Sequence, residues 1–309
     1  MKKIILLFIF PLWLYADLNT TLAQTDKLSH SFRKIATKKY HHFLYSIDSL
    51  FCDTKDINRS CYKKIYKSRM QVIISLKDNT QFKLHLRGKI VLPQLKHKAE
   101  ITFSQDDKQE IDNQNSVAAH DDVINDKKLH VGLKYYLYRE QRSAAYAKLN
   151  LKISPPFGPY LKLGIDKGYL SDSFFETTFN NAFYYYLNGG KTSASTAVSF
   201  FKPFNNFYFI GQGNKLYWKG TQALYLNNTL LFYQIFDLYN RIIYKTSVTN
   251  SYEKNKHFAH ESFEVSSGYF HRFDKWFFVE IIPKFRKSRT NDYKNEYLVS
   301  INFGVLLGN

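Results

Sequence analysis

Apolar and polar residues alternate strictly over long stretches of this chain. Between residues 82 and 90, apolar residues and one glycine alternate with four basic side chains: Lys83, His85, Arg87 and Lys89. The same period of two recurs over 145–153, 161–166 and 299–307. Because successive side chains of a β-strand point to opposite faces, each stretch predicts a strand with one apolar and one polar face. From about residue 66 onward, the chain is therefore predicted to be all-β.

Strand length and aromatic placement distinguish a membrane barrel from a soluble β-sandwich, which shows the same alternation. The predicted strands run to about 10 to 14 residues, longer than the usual 5 to 6 of soluble sheets and suited to a tilted membrane strand. Aromatic residues make up 17% of the chain and cluster at predicted strand ends, for example at 135–136, 183–186, 207–209 and 276–278. Such clusters are typical of the two aromatic girdles of an outer-membrane barrel.

Turn signals divide residues 66–309 into fourteen candidate strands. Their connections alternate between short ones, such as Glu140-Gln141 and Phe273-Asp274, and longer ones, such as 107–128. Bacterial outer-membrane barrels have this rhythm of short turns at one rim and long loops at the other, with an even number of strands. The prediction is a transmembrane antiparallel β-barrel of 12–14 strands, with twelve as the alternative count.

The chain before residue 66 has different patterns. Lys2 and Lys3 precede a short apolar run that ends at Ala16, which is typical of a cleaved signal peptide over 1–16. Apolar residues at three- and four-residue spacing over 17–65 predict a short helical periplasmic segment. Cys52 and Cys61 are the two cysteines of the chain, and in an exported protein they predict a disulfide, with free thiols as the alternative. Export and a barrel together predict the cell outer membrane.

Basic side chains outnumber acidic ones by 44 to 26, and removal of the signal peptide with its two lysines leaves a net charge of +16. In an exported protein, this excess predicts contact with anionic lipid or an anion-conducting lumen, not with nucleic acid. The expected partners are outer-membrane lipid, lipopolysaccharide and the barrel assembly machinery, and the oligomeric state is left open. An AT-rich genome is the alternative cause, because Lys, Asn, Tyr, Phe and Ile are abundant together.

Basic residues also dominate the predicted polar faces of the strands. Seven of them are candidates for the lining of the lumen: Lys148, Lys152, Lys162, Arg241, Lys245, Lys284 and Arg286. Cations that line a low-dielectric passage attract anions and repel cations. The set therefore predicts a lumen with weak anion preference, and a closed lumen of ion-paired side chains is the alternative.

One trio has the spacing of a catalytic face. His260, Ser262 and Glu264 lie two residues apart, so an unbroken strand would project all three from one side. A His beside a Ser resembles outer-membrane lipid hydrolases, in which His takes the proton of Ser, but no Asn-Gly follows Ser262 as it does in outer-membrane phospholipase. The trio is therefore interpreted as polar lumen residues that hydrogen-bond one another and water, with a catalytic role as the alternative. The acidic stretch 106–128 lacks a calcium-loop motif and no zinc or phosphate-loop motif occurs, so no metal or cofactor is predicted.

Three segments resemble a group of uncharacterised proteobacterial outer-membrane proteins: 45–51 (YSIDSLF), 86–93 (LRGKIVLP) and 268–283 (GYFHRFDKWFFVEIIP). Together they span most of the mature chain. The resemblance implies a β-barrel and implies no activity. The predicted function is therefore non-enzymatic, either a pore with a basic lumen or a structural envelope protein. A lipid hydrolase and a lipopolysaccharide-binding barrel are the alternatives.

Overall fold

Fourteen antiparallel strands close into one barrel in the computed structural model, which describes residues 38, 69–77, 81–92, 98–104, 129–153, 157–171, 175–220, 223–253, 258–273 and 277–307. Each strand pairs with its neighbours in sequence, and β1 also pairs with β14 to complete the closure. Closure leaves no open sheet edge, which is the condition for a sheet to lie in hydrocarbon. The predicted signal peptide, the disulfide and, apart from Lys38, the helical segment lie outside the described residues.

The strands hold between 6 and 15 residues. They are β1 (Arg69–Lys77), β2 (Gln81–Leu92), β3 (Ala99–Ser104), β4 (His130–Arg139), β5 (Ser143–Lys152), β6 (Gly158–Ser171), β7 (Phe175–Tyr186), β8 (Lys191–Pro203), β9 (Tyr208–Lys219), β10 (Ala223–Ile235), β11 (Asn240–Glu253), β12 (Phe258–Arg272), β13 (Phe277–Ser288) and β14 (Glu296–Leu307). A 3-10 turn over Arg289–Asn291 lies between β13 and β14. None of the described residues forms a helix long and apolar enough to cross a membrane.

The two faces of the same strands differ in polarity and in burial. Along β5, Lys148 is 3% exposed and the next residue, Leu149, is 54% exposed. Leu149 pairs in register with Leu133 on β4 and Leu161 on β6, so apolar residues of neighbouring strands share the outward face. The inward face carries buried lysines, tyrosines and asparagines. This arrangement confirms the predicted transmembrane antiparallel β-barrel, with fourteen strands in the described ranges.

Glycines make room for large side chains inside the barrel, and two of them lie on the strands that flank β5. A Cβ added at Gly164 would lie 2.2 Å from Cζ of Tyr146, which reaches across from β5 to β6. A Cβ added at Gly132 would lie 2.2 Å from Oδ1 of Asn150 and 2.8 Å from Cε of Lys148. The missing side chains therefore let the inward residues of β5 lie against both neighbouring strands.

Candidate functional site

All seven basic residues expected in the lumen occupy inward-facing positions of the register. Lys148 pairs with Lys162, and Lys152 lies on the same face of β5. On β11, Arg241 pairs with Phe270 and Lys245 with Ser266. On β13, Lys284 pairs with the same Ser266 and Arg286 with Glu264. The seven fall into two groups, which we call the β4–β6 wall and the β11–β13 wall of the lumen.

A row of three lysines crosses the β4–β6 wall. Lys134 pairs with Lys148 and Lys148 pairs with Lys162, so the three occupy directly opposed positions on three adjacent strands. They are 2%, 3% and 4% exposed, respectively. The Cβ atoms of directly opposed residues lie about 5 Å apart, so the like charges on these side chains repel one another. Favourable contacts with the surroundings must therefore offset the repulsion within this lysine row.

Tyrosine rings supply part of these favourable contacts. The Nζ atom of Lys134 lies 3.7 Å from the ring centroid of Tyr146 and 4.8 Å from that of Tyr136. The Nζ atom of Lys162 lies 5.5 Å from the ring centroid of Tyr184. A cation over an aromatic ring gains about 0.5 to 2 kcal/mol, more when both are desolvated. The rings therefore stabilise the row without adding negative charge.

Asn150 lies beside the lysine row, and none of the described residues forms a hydrogen bond with its side chain. Its side chain is on the same face as Lys148, two residues along β5, opposite Gly132 and Tyr160. The residue is 1% exposed, and within the described part of the chain neither Nδ2 nor Oδ1 has a hydrogen-bond partner. A buried polar group in this state costs about 1 to 3 kcal/mol and calls for an explanation such as an ordered water or ion.

Glu100 is the carboxylate nearest in register to the lysine row, because it pairs with Lys134 across β3 and β4. Its Oε2 accepts a hydrogen bond from the Tyr136 hydroxyl at 3.0 Å, and its Oε1 accepts one from Arg139 at 2.9 Å. Both contacts lie away from Lys148 and Lys162, toward the end of β4. Glu100 therefore lies at the β3 edge of the β4–β6 wall, where its carboxylate binds Arg139.

Ion pairs hold the β11–β13 wall together. The carboxylate of Glu264 lies 3.8 Å from Nζ of Lys245 and 3.1 Å from Nζ of Lys284, so it bridges two buried lysines. Near one end, Arg286 lies 4.0 Å from Glu296. Near the other, Arg241 stacks at 4.2 Å over the ring of Phe270. On this wall, carboxylates of the chain compensate the cations directly.

The register separates His260 from Ser262. A β-bulge shifts the pairing between Thr249 and Asn250, so Ser262 pairs with Thr249 whereas His260 pairs with Asn250. Ser262 and Glu264 share the inward face, but the alternation expected for the trio is broken before His260. Among the described residues, the His260 ring contacts Asn250 at 3.0 Å and stacks on Tyr293. The trio is therefore not assembled as a Ser-His pair.

A hydrogen-bonded cluster lies at the turn between β10 and β11. Asp237 Oδ1 accepts the backbone N–H groups of Tyr239 at 2.6 Å and Asn240 at 2.8 Å, and its Oδ2 accepts Asn240 Nδ2 at 2.7 Å. The hydroxyl of Tyr269 donates to Asn240 Oδ1 at 2.8 Å, and His271 Nδ1 lies 2.6 Å from the same oxygen. Burial opposes ionisation of Asp237, but the hydrogen bonds and nearby His271 outweigh it and lower the Asp237 pKa below its usual value.

The described residues contain no group of three or more His, Cys, Asp or Glu side chains that could hold a metal ion. The acidic stretch at 106–128 lies outside them. What remains as a candidate site is the inward-facing cationic surface, and above all the lysine row with Asn150.

Comparison with known proteins gives similarity of structure only. No family model matches the chain, and no curated protein matches it. Among solved structures, OmpT of Vibrio cholerae is 8% identical, with a TM-score of 0.46 over 78% of this chain and 96% of that chain. DcaP of Acinetobacter baumannii is 10% identical, with a TM-score of 0.43 over 78% and 94%. The KdgM porin is 7% identical, with a TM-score of 0.38 over 78% and 99%. Such remote similarity assigns no function, and the family resemblance stays a prediction.

Proposed function

We propose that the protein is a non-enzymatic outer-membrane β-barrel whose cationic lumen forms a narrow, anion-preferring pore. The observation that carries the proposal is the contrast between neighbours on one strand, with Lys148 buried inside the barrel and Leu149 exposed outside it. An apolar outer face and a polar inner face suit a barrel in lipid. A soluble barrel would bury its apolar face instead.

The sign of the inner charge supports an anion preference. Lys134, Lys148 and Lys162 stand side by side, and tyrosine rings lie near the ammonium groups of Lys134 and Lys162. Cations that line a passage of low dielectric constant attract anions and repel cations. Because these lysines are almost fully buried, the bore beside them is narrow, and we expect a low conductance. The same burial favours a second candidate, a closed barrel with a structural role in the envelope.

The location is tested by fractionation of cells that express the protein. We expect it in the outer-membrane fraction, with a gel mobility that changes on heating because a folded barrel resists detergent at room temperature. Recovery as a soluble periplasmic monomer would contradict the barrel in lipid and favour a soluble sheet protein.

The pore is tested by recording from the purified barrel in planar bilayers across a salt gradient. The basic residues on one strand lie two or four positions apart, about 7 to 14 Å, which is comparable with the Debye length of about 8 Å at physiological salt. We expect a reversal potential of the anion-preferring sign that declines as the mean salt concentration rises. A cation-preferring sign would refute the proposal, and the absence of any conductance would favour the closed barrel.

A further inference from the structure

We propose that a basic and aromatic patch on the outside of the barrel binds the phosphate groups of an outer-leaflet glycolipid, the class to which the lipid anchor of lipopolysaccharide belongs. The patch consists of Lys287, Arg289 and Lys294 with Tyr293 and Tyr297, and we call it the rim patch. The inference rests on the proposed outer-membrane location and adds a lipid ligand to it. Three observations carry it: the position of the patch, its cations beside exposed rings, and the contacts that fix its turn.

The rim patch lies at the end of the barrel that faces the outer leaflet. The longest connections between strands, 105–129 and 289–295, both follow odd-numbered strands and therefore share one rim. Outer-membrane barrels have their long loops on the cell exterior. At this rim Lys287 pairs with Phe263 in the outward phase of β13, next to the inward Arg286, and its side chain is exposed. Lys287 therefore lies on the lipid-facing side, at the level of the headgroups.

Positive charge is concentrated in this part of the chain. Residues 284–294 include five basic side chains and one acidic side chain, Asp292. Lys287 and Lys294 are both exposed, and neither side chain forms an ion pair or a hydrogen bond with another described residue. Asp292 is exposed in the same turn and offsets part of the charge. Each ammonium still offers N–H donors to phosphate oxygens, and such charge-assisted hydrogen bonds are strong.

Exposed aromatic rings adjoin these cations on the lipid-facing side. Tyr297 pairs with Phe285, so it is a diagonal neighbour of Lys287, about 7 to 8 Å away, and it is 47% exposed. Phe258 and Tyr252 pair at the same rim and are 66% and 57% exposed. Aromatic residues at this depth are typical of the membrane interface, where they contact the upper parts of acyl chains. Cations beside apolar rings fit a phosphorylated lipid better than a free anion.

Several contacts fix the turn that carries the patch. Arg289 donates a hydrogen bond to Oε1 of Glu261 at 2.9 Å and is still 40% exposed. The hydroxyl of Tyr293 donates to the backbone carbonyl of His260, and the two rings stack. Asp292 and Tyr293 have φ angles of 48° and 57°. A bulky residue rarely adopts this left-handed conformation, and such strain is concentrated at functional sites. Because the turn is already ordered, a ligand would lose little conformational entropy on binding.

The test measures lipid binding by the whole barrel in a non-ionic detergent. Native mass spectrometry counts barrels with and without one bound lipid as lipid A with two phosphates is added. Lys287→Gln and Lys294→Gln should each weaken binding about fivefold, the effect of one basic residue near a charged lipid surface. The double variant should lose about twenty-fivefold if the two effects add. Lipid A without phosphates should bind the native protein about tenfold or more weakly.

Lys202→Gln is the matched control. Lys202 is an exposed lysine on the outward face of β8 at the opposite rim, with its Nζ 5.8 Å from the ring centroid of Phe204. The variant removes the same charge from the outside of the barrel and should bind lipid A within about twofold of the native protein. Heat-modifiable mobility verifies that each variant is folded, and either rim-patch variant alone suffices if the other does not fold.

Equal binding of the two forms of lipid A by the native barrel would overturn the site, as would an equal loss in Lys202→Gln. Inorganic phosphate added at constant ionic strength should leave the lipid bound, because it lacks acyl chains, and displacement by it would overturn a lipid site. The assay needs no conductance. Phosphate-dependent lipid binding without conductance would therefore refute the pore and keep the rim patch. An anion-preferring conductance with phosphate-independent lipid binding would refute the rim patch and keep the pore.

Discussion

The two walls of the lumen carry buried lysines at equivalent inward positions and compensate them in different ways. On the β11–β13 wall, Glu264 lies within 3.8 Å of Lys245 and 3.1 Å of Lys284. On the β4–β6 wall, the lysine row is flanked by tyrosine rings, with Lys134 at 3.7 Å from the Tyr146 centroid. On the first wall a carboxylate bridges two lysines, whereas on the second tyrosine rings lie near the ammonium groups of two lysines.

Under the proposed function, this difference predicts that substitutions on the two walls have different effects. A carboxylate between two lysines neutralises part of their positive charge. An anionic ligand would therefore gain little by binding to those lysines. A tyrosine face stabilises a cation but leaves its charge in place, so a passing or bound anion still interacts with it. We therefore expect substitutions on the β11–β13 wall to change mainly stability, and those on the β4–β6 wall to change anion interactions.

Glu264→Gln should have the largest effect on stability. The change leaves Lys245 and Lys284 buried without their shared carboxylate, and removal of one member of a buried ion pair costs about 3 to 5 kcal/mol. We expect the free energy of unfolding in lipid vesicles, measured by urea titration, to fall by about 3 kcal/mol. Glu296→Gln is the control, because its partner Arg286 is 4.0 Å away and Glu296 is 25% exposed; it should cost less than about 1 kcal/mol. Equal losses would show that burial does not distinguish the two pairs.

Gly164→Ala should disturb the β4–β6 wall through packing. The added Cβ would lie 2.2 Å from Cζ of Tyr146, so the ring must leave its place near Lys134. We expect a loss of about 2 kcal/mol in the same urea titration, in the range for an overpacked interior. At Gly213 the nearest atom to an added Cβ is Oγ of Ser199 at 3.7 Å, and Gly213→Ala should be almost neutral. A tolerant Gly164 would contradict the assigned position of the tyrosine.

Asn150→Asp should make the β4–β6 wall resemble the β11–β13 wall. The new carboxylate would stand beside Lys148 without a change of size, and it would replace an amide that has no hydrogen-bond partner among the described residues. In phosphate-free buffer at neutral pH, we expect the barrel to gain about 1 kcal/mol, the typical worth of one satisfied polar group. The same unfolding experiment would contradict the charge comparison if Asn150→Asp were less stable than the native protein.

Asp237→Asn should give the smallest effect, at the turn that leads into the β11–β13 wall. The folded-state pKa of Asp237 is lowered, so its carboxylate stabilises the fold above the unfolded-state pKa of about 3.9. That contribution is lost as the pH falls through the lower folded-state pKa. We expect Asp237→Asn to lose less than about 1 kcal/mol at neutral pH, since the group is partly exposed. The difference from native protein should shrink below about pH 4, and a constant difference would contradict the assigned ionisation.

The alternation of residues was sufficient to predict the fold and the inward phase of several lysines, because a closed sheet carries the two-residue period through every strand. It was not sufficient to identify Lys134. After it, in Tyr135-Tyr136-Leu137-Tyr138, aromatic and apolar residues occupy both the odd and the even positions. The sequence alone therefore does not show which residues of β4 face inward. The exposure of Leu137 and the burial of Tyr136 become visible only in the folded barrel.

Two further features depend on contacts between strands, which the sequence does not encode locally. The lysine row requires that residues fourteen positions apart meet, and this depends on the turn after Arg139 and the connection after Lys152. The bulge between Thr249 and Asn250 breaks the two-residue alternation that would have placed His260, Ser262 and Glu264 on one face. A period of two predicts faces within one strand, but only register predicts which side chains meet.

Ion selectivity of two charge-matched variants tests the difference between the walls most directly. Lys148→Gln and Lys284→Gln each remove one inward positive charge, and the reversal potential of each barrel is measured in planar bilayers across the same salt gradient. The anion preference should fall more in Lys148→Gln, because Glu264, 3.1 Å from Lys284, already offsets the charge of that lysine. Equal reductions, or a larger one in Lys284→Gln, would contradict the account.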